Sequence, residues 1–306
     1  MTIPVASARV LLAELIDYAG LFPPAGLSMP GAVAQFAEHL DAEHAWMLGR
    51  FIVPAARLQE MEDAAAGKLP RDASAAPWRL SLLSGGDSAE DAELVWSFNE
   101  RHAHAGAGRA VIDTLEVKAT DAGSVERAAR AARAAPAGVT AYIEIPIADD
   151  PADLIGVLRG AGARAKIRTG GVTAEAFPPA SAVARFIRAA VDAAVPFKAT
   201  AGLHHPLRGD YRLTYEPGSA SGTMYGFLNV FVAAGFAAQG LALGELESVL
   251  GERKPDAFAF DDAGVSWRGH RLDLDDLRHL RSRGAIAFGS CSFSEPVDDL
   301  RSLHIL

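Results

Sequence analysis

The sequence predicts an α/β fold: a (β/α)8 barrel with an N-terminal helix and a large insertion between the seventh and eighth strands. Short runs of β-branched and apolar residues alternate with longer Ala-, Arg- and Glu-rich amphipathic stretches. Repeated strand–helix units of this kind imply parallel strands joined by crossover helices. No GxGxxG follows the early strands, which removes the main argument for a dinucleotide-binding open sheet. The 306 residues would allow two domains, but α/β barrels run to about 250 residues as one domain. With no domain-sized linker and no internal repeat, residues 1–306 are expected to form a single barrel domain, with 203–284 as an inserted loop, helix and hairpin region.

In chain order, a helix at 6–16 is expected to cover the barrel floor. A first strand at 18–22 (YAGLF) precedes a helix at 29–40 that Ser28 and Pro30 begin. Strands follow at 50–53, 78–83, 110–117, 140–145, 164–168 and 196–200, separated by helices at 56–66, 89–104, 122–135, 151–160 and 180–194. Asp150 can cap a helix with Pro151 at its first position, and Gly162 falls where that helix should stop. The insertion should hold an uncharged helix within 226–243, a second helix near 244–252, a hairpin over 258–268 turning at Asp262–Gly264, and a helix at 274–283. Gly284 ends it, and 285–289 is the eighth strand. The run 226–243 (GFLNVFVAAGFAAQGLAL) is long enough to consider as a membrane span. It carries Asn229 and Gln239 and has no closely flanking Lys or Arg, so a helix buried in a large protein is the better reading.

Composition narrows the function. Half the residues are hydrophobic and 22% are charged, which is globular composition. The net charge of −9, without a run of Lys or Arg, argues against nucleic acid or an anionic membrane as partner. The single cysteine, Cys291, permits no internal disulfide and suits a reducing compartment. The N-terminal residues lack the pattern of a signal peptide, so the expected location is the cytoplasm. The uncharged stretch within 217–250 suggests a homo-oligomer.

Working groups in such barrels lie at the C-terminal ends of strands. Four strands carry a charged residue there: Asp113 in VIDTLEV, Glu144 in YIEIP, Lys166 in AKIRTGG and Lys198 in FKATAG. Two lysines on consecutive strands would each favour the neutral form of the other, and burial pushes the same way. A neutral amine attacks a carbonyl to give a Schiff base, and a carboxylate such as Asp113 could relay the protons. The plainer reading pairs both lysines with Asp113, Glu116 or Glu144 in a structural ion network.

The segments AKIRTGG and FKATAG resemble the sixth- and seventh-strand motifs of deoxyribose-phosphate aldolase. VIDTLEV resembles that family's Asp-bearing fourth strand, and 287–292 (AFGSCS) resembles its last, phosphate-side loop. The four stretches lie in the same order over about 180 residues. The resemblance implies a cofactor-free class I aldolase with no metal, acting on a small carbonyl substrate by carbon–carbon cleavage or condensation. It implies that Lys166 is the Schiff-base lysine, Lys198 its neighbour and Asp113 the proton shuttle. It also implies that Thr169, Gly170 and Gly171 shape the substrate loop, with Gly289 and Ser290 near an anion site. The family's Gly-Gly after the seventh strand is replaced by Ala201-Gly202 and then Leu203-His204-His205-Pro206.

Further candidates surround this set. Arg168 is an added cation whose planar fork suits a carboxylate or phosphate. Glu144, His204, His205 and Cys291 are candidate substrate-binding residues. A rival reading makes His204, His205 and Cys291 the centre of a metal-dependent lyase or hydrolase, although no CxxC or HExxH supports it. Another rival is a barrel that binds without catalysis. Tyr18 either donates to a substrate or packs in the core. Arg50 should lie on the floor side. Asn229 is either a buried amide satisfied by backbone or a residue facing the site.

Overall fold

The computed structural model describes residues 4–86, 88–134 and 137–306. Eight parallel strands close a barrel: β1 (Ile16–Tyr18), β2 (Leu48–Pro54), β3 (Trp78–Leu83), β4 (Ala110–Lys118), β5 (Thr140–Glu144), β6 (Arg164–Arg168), β7 (Phe197–Thr200) and, after a long excursion, Ala285–Ser290. Around them lie α1 (Ala6–Leu12), α2 (Met29–Leu40), α3 (Leu58–Ala65), α4 (Ser88–His102), α5 (Ala122–Ala134), α6 (Ala152–Ala161) and α7 (Ala180–Asp192). The first strand lies at 16–18, earlier than the expected 18–22. After Tyr18 the chain turns away, and Ala19, Phe22, Pro23 and Pro24 become rim residues that line a cavity. α1 is correspondingly shorter than the run 6–16.

Helix ends follow local chemistry. Ser28 Oγ accepts from the Gly31 amide at 3.4 Å, with Pro30 in the first turn. Pro151 stands one residue before α6 rather than at its first position, and Asp150 Oδ1 accepts from the Ala152 amide at 3.0 Å. Gly162 then ends α6 with φ 69°, a left-handed conformation that costs glycine nothing.

The excursion between β7 and the eighth barrel strand contains β8 (Gly209–Arg212) and β9 (Ser221–Met224), an antiparallel pair at the barrel mouth. It continues with α8 (Phe227–Ala238), α9 (Leu243–Gly251), a three-stranded antiparallel sheet of β10 (Phe258–Asp261), β11 (Gly264–Trp267) and β12 (His270–Asp273), and α10 (Leu274–Arg283). The eighth barrel strand is therefore β13, and α11 (Ser294–Ser302) follows it. The sequence does not signal β12. α10 starts with a capping box in which Asp273 accepts from the Asp275 and Asp276 amides, both at 2.8 Å.

α8 explains its own composition. Every residue from Phe227 to Ala237 is buried, because the helix packs against α7, α9, α10, β12 and β13. A helix covered on all sides is apolar all round. Among the described residues no helix is long and apolar enough to cross a membrane. The apolar surface of α8 itself is covered within one chain.

Candidate functional site

The barrel interior near its C-terminal mouth holds a chain of alternating charges. Parallel register sets Glu144, Lys166 and Lys198 side by side on β5, β6 and β7. Lys198 Nζ reaches Asp17 Oδ2 of β1 at 2.6 Å and Glu116 Oε1 of β4 at 2.5 Å. Lys166 Nζ lies 2.8 Å from Glu116 Oε2 and 3.0 Å from Glu144 Oε2. Arg168 Nε donates to Glu144 Oε1 at 3.0 Å. The order is thus Asp17, Lys198, Glu116, Lys166, Glu144, Arg168, with sign reversing at each step. Behind it, Ser81 Oγ donates to Glu116 Oε1 at 2.7 Å, and the Arg50 amide donates to Asp17 Oδ1 at 2.7 Å.

This arrangement corrects the expectation of two mutually repelling lysines. Glu116 sits between them with one oxygen for each. Burial alone would push the Lys198 ammonium down, but Asp17 and Glu116 outweigh burial and hold it above the ordinary lysine range. Burial likewise favours protonated Glu116, and the two lysines reverse this and hold it below the usual carboxylate range. A buried ammonium with two carboxylate partners keeps its proton, so Lys198 does not prime a neutral neighbour.

Asp113 is the second correction. The β3–β4 register shifts between Leu80/Ile112 and Ser81/Thr114, so the residue that reaches both lysines is Glu116, three positions on. Asp113 lies toward the N-terminal end of the barrel and is held by Arg50 Nε at 2.5 Å and Arg79 Nε at 2.9 Å. Arg79 also pairs with Glu14. Although burial raises its pKa, the arginines hold the Asp113 carboxyl below its usual range.

Above the ion chain opens a cavity of about 290 Å³. Its apolar wall includes Phe22, Pro23, Ile52, Leu83 and Val172, and its charged lining is Glu116, Lys166, Arg168 and His204. Three of those four are basic. Gly171, Gly289 and Cys291 also line it. Arg168, with its side chain 51% exposed, borders a second cavity as well, together with Lys118, Glu144 and Pro146.

Other candidates support the rim instead of lining it. Thr169 is fully buried, and its hydroxyl donates to the Ala201 carbonyl at 2.8 Å. Ala201 itself has φ 64°, a left-handed conformation that is uncommon for a residue with a Cβ. The Phe177 ring leaves no room for a Cβ at Gly170 or Gly202. Ser290 is buried in β13, where its carbonyl accepts from the Ala19 amide at 2.7 Å. Tyr18 is buried and donates to Gln35 at 2.7 Å.

The two histidines separate. His204 lies beside the cavity, with Nδ1 3.8 Å from Cys291 Sγ and 3.5 Å from Glu295 Oε2. Burial lowers its pKa, yet the hydrogen bonds from the ring to Cys291 and Glu295 outweigh this and push it up to about 9. His205 turns outward, with Nδ1 2.6 Å from Asp299 and its ring stacked on Tyr211 at 3.5 Å. Successive residues on an extended segment point opposite ways, so the pair does not join Cys291 as one ligand set. Among the described residues no group of three His, Cys, Asp or Glu side chains is placed to hold a metal ion.

Comparison with known proteins gives little beyond this. No family model matches the chain, and no curated protein matches it. Among solved structures, a mutant of organophosphorus hydrolase matches at 16% identity and TM-score 0.37, covering 99% of this chain and 91% of that one. A mutant of organophosphorus hydrolase from Deinococcus radiodurans matches at 15% and 0.37, covering 92% and 87%. The Schiff-base aldolase reading is overturned by the ion pairs themselves: the four sequence stretches resemble that family, but both lysines are locked between buried carboxylates and are not arranged for its chemistry.

Asp17, Glu116 and Glu295 were not among the expected site residues. Glu116 was legible only as an ion-pair partner, because the bulge that aims it inward leaves no mark in the residue pattern. Glu295 belongs to the first turn of α11, beyond the strand ends that direct the search.

Proposed function

We propose that this protein is an enzyme whose barrel-mouth cavity takes a small carboxylate- or phosphate-bearing substrate and stabilises negative charge that develops on it. The observation that carries this reading is the lining: three basic side chains and one carboxylate around about 290 Å³, in a chain whose overall net charge is −9. Half-exposed Arg168 anchors the anionic group, since its fork presents paired donors to carboxylate or phosphate. An ammonium has three N–H groups; Glu116 and Glu144 take two from Lys166, and the third serves a substrate oxygen. Fixed, water-excluded cations aimed at a developing oxyanion stabilise it without reorganising during the reaction. Lys198 and Asp17 act from behind by holding Glu116, and through it Lys166.

The test is thermal melting of the wild type and Arg168→Met with 2-oxo acids, hydroxy acids and phosphate monoesters, each beside its neutral amide or alcohol. A ligand at 100 times its Kd adds about 2.7 kcal/mol, a rise of several degrees at this size. At least one acid should give that rise, its neutral analogue should not, and Arg168→Met should lose it. Equal stabilisation by neutral analogues, or an undiminished shift in Arg168→Met, overturns the reading.

A further inference from the structure

The wall of the same cavity carries a group that the ion chain does not use. Cys291 follows β13 directly, and His204 lies four residues past the end of β7; both line the cavity. The sulfur faces the His204 ring at 3.8 Å and the Tyr215 hydroxyl at 3.6 Å. Glu295 Oε2 holds both neighbours, lying 3.5 Å from His204 Nδ1 and accepting from Tyr215 at 3.1 Å. Two side chains thus meet at the sulfur, His204 from the loop after β7 and Tyr215 from the β8–β9 connection, and Glu295 at the start of α11 holds both.

We propose that Cys291 is a nucleophile toward a carbonyl carbon of the anionic substrate, with His204 as the acid–base partner and Glu295 as the positioning residue for the ring. This rests on the preceding reading for the substrate's charge, but not for the reactivity of the sulfur. As Sγ attacks, its proton passes to His204 Nδ1, 3.8 Å away. The thiolate forms a C–S bond with an aldehyde carbon, and the carbonyl π pair moves to oxygen. That oxygen takes the Nδ1 proton. Thiol plus aldehyde becomes hemithioacetal, with no leaving group and no oxidant, and the reverse step restores both. A nucleophile paired with an oriented base is the recurring arrangement of covalent catalysis.

The chain has one cysteine, so any alkylation is read at a single atom. The full-length protein is treated at pH 7 with iodoacetamide or with iodoacetate, from each of which the sulfur displaces iodide at carbon, and followed by intact mass. An ordinary thiol is only a few per cent thiolate at that pH. Folded protein should therefore label at least ~10-fold faster than the same chain unfolded in urea. His204→Gln and Glu295→Gln, each checked by melting to be folded, should lower the folded rate toward the unfolded one. Labelling of folded wild type no faster than the unfolded chain overturns the proposal, as does an unchanged rate in both folded variants. The cationic lining is tested separately: iodoacetate should be favoured over iodoacetamide in wild type, and Arg168→Met should remove that preference. Fast labelling without the preference would sustain the nucleophile and sink the anionic substrate.

Discussion

Lys198 shows how a side chain's role depends on what stands beside it. Its ammonium is 1% exposed and bridges Asp17 and Glu116, and the ring of Tyr142 lies 5.5 Å from Nζ. Replacing it with Met keeps the length of the side chain and removes the charge, leaving two buried carboxylates without their shared cation. Breaking a buried pair from one side costs about 3–5 kcal/mol, because the remaining charge stays desolvated. Lys198→Met should lower the urea midpoint accordingly. Lys198→Met with Asp17→Asn should recover part of the loss, since Asp17 loses its ion pair in the single variant whereas Glu116 keeps Lys166. A loss under 1 kcal/mol in the single variant would mean that water reaches the pair. The sequence reveals that Lys166 and Lys198 sit on adjacent strands, because spacing and strand pattern fix that. It conceals that a carboxylate separates them, because which β4 residue points inward depends on a register shift and not on composition.

Among elements, α8 is the clearest case of a pattern read correctly for its burial and incompletely for its purpose. Its uncharged length follows from being covered by neighbouring helices, and its one internal amide ties three segments together. Asn229 Oδ1 accepts from the Arg208 amide at 2.9 Å, while Nδ2 donates to the carbonyls of Val249 at 2.7 Å and Glu252 at 2.8 Å. The last two close the C-terminal end of α9, where carbonyls lack partners within the helix. Asn229→Leu leaves the Arg208 amide and the Glu252 carbonyl buried without that partner, each costing about 1–3 kcal/mol, while the Val249 carbonyl keeps the Glu252 amide. The expected outcome is a fall in stability of at least ~2 kcal/mol by urea unfolding, with the iodoacetate rate at Cys291 unchanged. Most barrel strands and helices are legible because their periodicities are imposed by burial on one face. β12 and the short β1 are not, since four and three residues are too few to show a period.

At the level of the whole molecule, the ionisable groups set a window of stability. The unfolded chain has histidines near pKa 6.5, whereas folded His204 is pushed up to about 9 by Cys291 and Glu295 against the pull of burial. A group whose folded pKa exceeds its unfolded value binds protons more tightly when folded. Its stabilisation is complete below about 6.5 and is lost as pH rises through about 9. At about 1.4 kcal/mol per pKa unit, the loss is bounded by about 3.5 kcal/mol. His39 and His44 act in the other direction. Burial is the main cause that lowers both, so each favours the folded state when neutral and costs stability as pH falls below about 6.5. Glu116, Glu144, Asp113 and Glu295 are lowered by their cationic partners despite burial, and their contribution is lost further down the acid side. Stability should therefore peak near pH 6.5 and decline from there to pH 9. In His204→Asn the alkaline decline should flatten whatever the variant's absolute stability, because asparagine carries no proton to lose. Urea midpoints at half-unit pH steps give the slope. An undiminished alkaline decline in His204→Asn would show that the ring does not hold its extra proton between Cys291 and Glu295.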